Sequence, residues 1–228
     1  MEERDAWDGL LKAGFLHAAR EAHRETTLVV FGALNRAGGF TERSYGVSSF
    51  DVLATQLDRA LGVDEEDGAG GRQPRIAVRD DLNGSPGWRR GRYRVLLKRH
   101  PFGAVHAIRW DRDSPTKQAV ARQEFPDDPQ LALPIPGVHR DTPDVVNLVL
   151  AHSATEDPLE MELFLGHPRW NEDGGTPWHW LRPLDDASLG ADPRRKLVEP
   201  TPPLWGDDEA DVPMRLRAGE ETSYETAR

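Results

Sequence analysis

The chain has 228 residues, no cysteine and a formal net charge of −10 from 29 basic and 39 acidic side chains. Hydrophobic residues make up 37% and charged residues 30%, enough for a globular protein with a sizeable core, while the lack of cysteine excludes disulfides, thiolate–metal ligation and a cysteine nucleophile. The acidic start, Met1-Glu2-Glu3-Arg4-Asp5, does not resemble a secretory signal, and no apolar run reaches the roughly 18 residues of a membrane span, so a cytoplasmic location with no membrane partner is expected.

Residues 4–22 carry apolar side chains at Trp7, Leu10, Leu11, Phe15, Ala18, Ala19 and Ala22, the spacing of an amphipathic helix. The run Thr26 to Leu34 is rich in β-branched residues, yet its continuity with the preceding segment favours a helix, ended by Gly38-Gly39. The alternative, a strand feeding a glycine loop and a helix, would form an anion cradle. A further helix is expected over 49–61, capped by Ser48 or Ser49, with Phe50, Leu53, Ala54, Leu57 and Leu61 on one face. Residues 63–73 are acidic and glycine-rich with almost nothing to bury, and read as a linker.

From Pro74 the pattern becomes short apolar–polar alternations broken by Gly, Pro, Asn and Asp, which predicts an antiparallel sheet over 74–184. Strands are expected at 75–80, 91–99, 104–111, 120–125, 144–152 and 159–166, with a short seventh at 178–181. The Asn83–Gly87 cluster would join the first two as a hairpin. Residues 185–228 are rich in proline and acid and read as an extended arm. The expected fold is therefore α+β: a helical unit (1–62) and an antiparallel sandwich or half-barrel of six to seven strands, followed by the arm.

Charge is uneven. Residues 72–112 sum to +8, and every other stretch is acidic. Alternation along 91–99 puts Tyr93, Val95 and Leu97 on one face and Arg92, Arg94 and Lys98 on the other, where Arg75 and Arg79 of the preceding strand would join them. Arg89 and Arg90 would extend this basic face, and Trp88 lies beside it. Glu160 and Glu162 on a later strand offer an opposing ladder that would neutralise the cations. Trp170 and Trp178 flank the Gly174-Gly175 loop, a setting typical of binding surfaces.

Catalytic patterns are weak. His139-Arg140-Asp141 with Asn147 has the wrong spacing for a kinase catalytic loop, and no Gly-rich loop or Asp-Phe-Gly accompanies it. No histidine pair has a compact metal-ligand spacing; a site built from His100, His106, His152 and Asp141 would need the fold to assemble it. Gly84-Ser85-Pro86-Gly87 lacks the backbone N–H that an oxyanion hole needs. With no cofactor motif, the sequence points to a non-enzymatic binding or regulatory protein. Its basic sheet face (Arg75, Arg79, Arg89, Arg90, Arg92, Arg94, Lys98, with Trp88) and loop tryptophans (Trp170, Trp178) would engage an acidic protein partner. The alternatives are a histidine-based, metal-dependent hydrolase and a nucleic-acid binder, the latter opposed by the net charge.

Overall fold

The computed structural model describes residues 3–63, 75–112, 114–123 and 145–190. Two helices fill the first apolar stretch: α1 (Glu3–Lys12) and α2 (Phe15–Ala33). Gly14 separates them, because its φ of 78° lies in the left-handed region that glycine enters without cost. The single helix expected over 4–22 is thus two, and the run from Thr26 is helical, as preferred, which removes the strand-based anion cradle. Next, α3 (Glu42–Ala60) starts seven residues before the expected 49–61 helix, after Thr41 and not at Ser48 or Ser49. Gly46 sits inside it, where a Cβ would lie 3.0 Å from the Arg99 guanidinium, so the glycine is a point of close approach and not a boundary.

Six strands form one open sheet in the order β1 (Val78–Arg79), β2 (Gly87–Arg90), β3 (Tyr93–Arg99), β4 (Val146–Thr155), β5 (Glu160–Pro168) and β6 (Trp178–Pro183). The α+β class is as expected, but the sheet is neither a sandwich nor a half-barrel, and β3 and β4 run parallel in a sheet otherwise antiparallel. Residues 87–90, expected in a loop, form β2. Asn83 and Gly84, both at positive φ, close a tight turn between β1 and β2, so that β2 intervenes between the two strands expected to pair.

Two expected strands do not appear among the described residues. Residues 104–111 make a 3₁₀ turn at Val105–Ala107 and an irregular run, and 120–122 end a helix, α4 (Pro115–Arg122). Its start was legible as a capping pattern: Ser114 accepts from the Lys117 N–H and Pro115 takes the first turn, where its missing N–H does no harm. A short α5 (Asp186–Leu189) follows β6. The 63–73 linker, except Val63, and the arm beyond 190 lie outside the described residues.

Helices cover one sheet face. Trp7, Leu10, Phe15, Leu16, Leu53 and Leu57 pack on Trp88, Val95, Leu97, Leu148, Leu150 and Leu165. The opposite face, Leu96, Val149 and Ala151, is covered by Val105, Ile108, Trp110, Val120 and Trp178. A parallel pair joined by a crossover is buried on both faces, and β3 and β4 accordingly show continuous apolar runs.

The basic stretch is stapled to carboxylates as the fold closes. Asp58 of α3 accepts from the Trp88 indole N–H (2.7 Å) and from Arg79 (2.7 Å), whose guanidinium also lies 4.9 Å from the Trp88 ring. Asp80 binds Arg89 (2.9 Å) and Arg94 (2.8 Å), and Asp81 binds Arg79 (2.5 Å). We expect Asp58→Ala to lower unfolding free energy in urea by about 1–3 kcal/mol, because it orphans the buried Trp88 indole N–H and leaves the half-buried Arg79 guanidinium with Asp81 alone. A loss below about 0.5 kcal/mol, the range of a neutral surface change, would show that the clamp contributes nothing.

Candidate functional site

On α2 the buried residues run Phe15, Leu16, His17, Ala18, Ala19 and Ala22, apolar but for His17, and then continue with helical spacing as His23, Thr26, Thr27 and Val30. Strand β4 changes character in the same way: after Leu148 and Leu150, the next residue on the helix-facing side is His152. The two polar halves face each other. Where they meet, a cavity of about 420 Å³ opens, lined from α2 by His23, Thr26 and Thr27, from α3 by Tyr45 and Ser49, and from the sheet by Arg99 and residues 152–155.

The floor of this cleft is polar and buried. Thr26 and His152 are 1% and 2% exposed, and neither the Thr26 hydroxyl nor the His152 Nε2 has a hydrogen-bond partner among the described residues. The His23 and His152 rings meet edge to face, 5.7 Å between centroids, and the Thr27 hydroxyl donates to the His23 carbonyl (2.9 Å). Burial, reinforced by the charge of His100, pushes the His23 pKa down to about 4. Burial and then the proximity of His23 carry His152 well below the usual imidazole range. Both rings are therefore neutral at pH 7.

Charges stand at the rim. Arg36 binds Glu42 and Glu156 (3.2 Å), and Arg99 binds Glu42 (3.3 Å). The hydrogen bond from Arg36 holds the Glu42 carboxyl below the ordinary carboxylate range. The Tyr45 hydroxyl donates to the Leu34 carbonyl (3.0 Å), and Phe31 and Phe102 flank the mouth.

The histidine set named for a hydrolase does not assemble. The His100 N–H donates to the His152 carbonyl (3.1 Å), but its ring turns the other way, towards Phe164 (6.0 Å) and Glu162 (3.8 Å), with Nδ1 2.9 Å from the Pro101 carbonyl oxygen. His106 is exposed, and Asp141 lies outside the described residues, as do His139 and Arg140. Among the described residues no group of three or more His, Asp or Glu is placed to hold a metal ion. His167 and His179 stack at 4.7 Å on β5 and β6, and burial together with His179 lowers the His167 pKa to about 4.

The residues of the expected basic face are dispersed. Arg79, Arg89 and Arg94 are held by Asp58, Asp80 and Asp81. Arg75 and Arg90 are exposed, Arg92 is exposed beside the Tyr93 ring (5.7 Å), and Lys98 is half-buried. Neutralisation comes from those aspartates and not from the expected glutamate ladder: Glu162 instead accepts from the Gly103 N–H (2.9 Å). Trp88 and Trp178 are core residues, 0% and 4% exposed, so neither is a stacking platform; Trp178 donates its indole N–H to the Val105 carbonyl (3.0 Å). Trp170 is half-buried beneath the Arg122 guanidinium (3.9 Å).

Sequence reasoning missed His23, Thr26 and Thr27 because the stripe was followed only while it stayed apolar. Polar residues continuing an apolar stripe in phase were the available signal. No protein-family model, no curated protein and no solved structure matches the chain.

The histidines have a stability consequence. Unfolded, each imidazole takes up a proton near pH 6.5; folded, His23 does so only near pH 4 and His152 lower still. Between those limits the unfolded state binds more protons, so stability falls as pH falls, by about 1.4 kcal/mol per pH unit for each such histidine. We expect the urea midpoint to drop steadily from pH 6.5 to 4.5 and the drop to be shallower in His23→Gln; an identical slope in that variant would remove the assignment.

Proposed function

We propose that the protein is a binding protein whose ligand, a small polar molecule, enters the cleft between α2, α3 and the end of β4. One observation carries this reading: two elements that are apolar where they pack against each other both turn polar where the cavity opens. Buried polar groups without internal partners destabilise a fold by about 1–3 kcal/mol each, so their coincidence around a cavity favours a ligand as their partner. Imidazoles kept neutral at pH 7 accept or donate a hydrogen bond without a desolvated charge, and the hydroxyls of Ser49 and Thr27 add further groups of the same kind.

The test is a thermal-shift screen of hydroxylated and heterocyclic metabolites against the full chain and Ala154→Trp, which places an indole on the cleft-facing side of β4. A ligand of this cleft raises Tm by several degrees in the unmodified chain and not in the variant. If every stabilising compound acts equally on both, the cleft is not the site.

The expected acidic protein partner remains a second reading, supported by the exposure of Arg75, Arg90 and Arg92 around the β2–β3 turn. It predicts that Arg90→Glu with Arg92→Glu weakens a captured partner in a salt-dependent manner while leaving Tm unchanged. Capture that is insensitive to both changes would dismiss it.

A further inference from the structure

The cleft between α2, α3 and the end of β4 has an aromatic mouth above its polar floor. Phe31 belongs to α2 and Phe102 to the turn after β3, so the helical layer and the sheet each send one phenylalanine to the same cavity. Phe31 packs on Tyr45, 5.2 Å between ring centroids, and the Arg36 guanidinium lies 5.2 Å from the Tyr45 ring. Those contacts fix Phe31. Phe102 is 38% exposed, yet its turn is tied down: the Ala104 N–H donates to the Pro101 carbonyl (3.0 Å) and the Gly103 N–H to Glu162 (2.9 Å). An aromatic ring is thus held open at the cavity wall.

Charge at the cleft is closed off. The cations that line it, Arg36 and Arg99, both bind the lining carboxylate Glu42, and Glu156 completes the network on Arg36. An ionic ligand would have to break these pairs or lie buried beside them without a partner. The floor adds no charge at pH 7, because burial keeps His23 and His152 neutral. What it leaves open is two atoms, the Thr26 hydroxyl and the His152 Nε2, each of a kind that donates or accepts.

We propose, on the reading that this cleft is the ligand site, that its ligand is an uncharged planar ring with a hydrogen-bond donor and acceptor side by side on one edge, as in a lactam or a nucleobase. The ring lies against Phe31 and Phe102, and its edge answers Thr26 and His152. The ring supplies affinity through apolar area and aromatic contact. The edge supplies selection, since an analogue lacking the donor leaves a buried acceptor unpaired.

The probes are 2-quinolinone, its N-methyl derivative, which lacks the donor, and quinoline-2-carboxylate, which carries a charge, titrated calorimetrically into the full chain. The lactam binds about tenfold more tightly than either analogue. Phe102→Ala weakens the lactam about fivefold and leaves the Tm of the ligand-free chain unchanged, because the ring is exposed. Thr26→Val weakens it by a similar factor without unfolding the chain, and Ala154→Trp abolishes binding. Equal affinity for lactam and carboxylate, no effect of N-methylation, full affinity in Phe102→Ala or Ala154→Trp, or no binding of the lactam at millimolar concentration each overturns the proposal. The cleft and the ligand class fail separately: a compound of another class that raises Tm in the unmodified chain and not in Ala154→Trp, where the lactam does nothing, overturns the class alone. If no compound of any class does so, both fall.

Discussion

The parallel pairing of β3 with β4 is the constraint on which the rest of this fold depends. Parallel neighbours need a long crossover and present two faces that must both be buried. Here α1, α2 and α3 cover one face, and the segment after β3, including α4, covers the other. The register that pairs Leu97 with Leu150 also pairs Arg99 with His152 and brings the His100 N–H to the His152 carbonyl. The chemistry-bearing ends of both strands are thereby set side by side at one edge of the helical layer, where α2 meets them with His23, Thr26 and Thr27.

Charge follows from the same geometry. The stretch 72–112 sums to +8 in sequence. Asp58 reaches Arg79 and Trp88, and Asp80 reaches Arg89 and Arg94, which holds three of its arginines in clamps against the fold. Among the described residues of that stretch Arg75, Arg89, Arg90, Arg92 and Arg112 are exposed, with Arg90 and Arg92 at the β2–β3 turn.

Much of the fold was legible because periodicity is a local signal. The apolar stripe that opens α2, the inward Leu163 and Leu165 of β5 and a turn at Asn83-Gly84 were readable from spacing, whereas β3 is buried on both faces and that turn leads into β2, not β3. The errors came from non-local burial. Ile108 and Trp110 alternate like a strand but fill the second face, with Val105, from a 3₁₀ turn and irregular chain, and Trp88 and Trp178 looked like loop aromatics but are core. The cleft was not legible, since His23 and His152 are 129 positions apart in the chain and meet only through the layer packing. Even so, Thr26 and Thr27 in phase with an apolar stripe were a visible mismatch between pattern and chemistry, and such mismatches tend to mark functional positions.

The central claim is that the polar half of the α2 stripe is retained at a cost to stability. Thr26→Val tests it most directly, because valine keeps the shape and removes only a buried hydroxyl that has no partner among the described residues. Relief of about 1 kcal/mol corresponds to a Tm increase of about 2–4 °C for a chain of this size, and that rise is the predicted result. A fall in Tm by a similar amount would mean that the hydroxyl is satisfied within the fold, and would contradict the account.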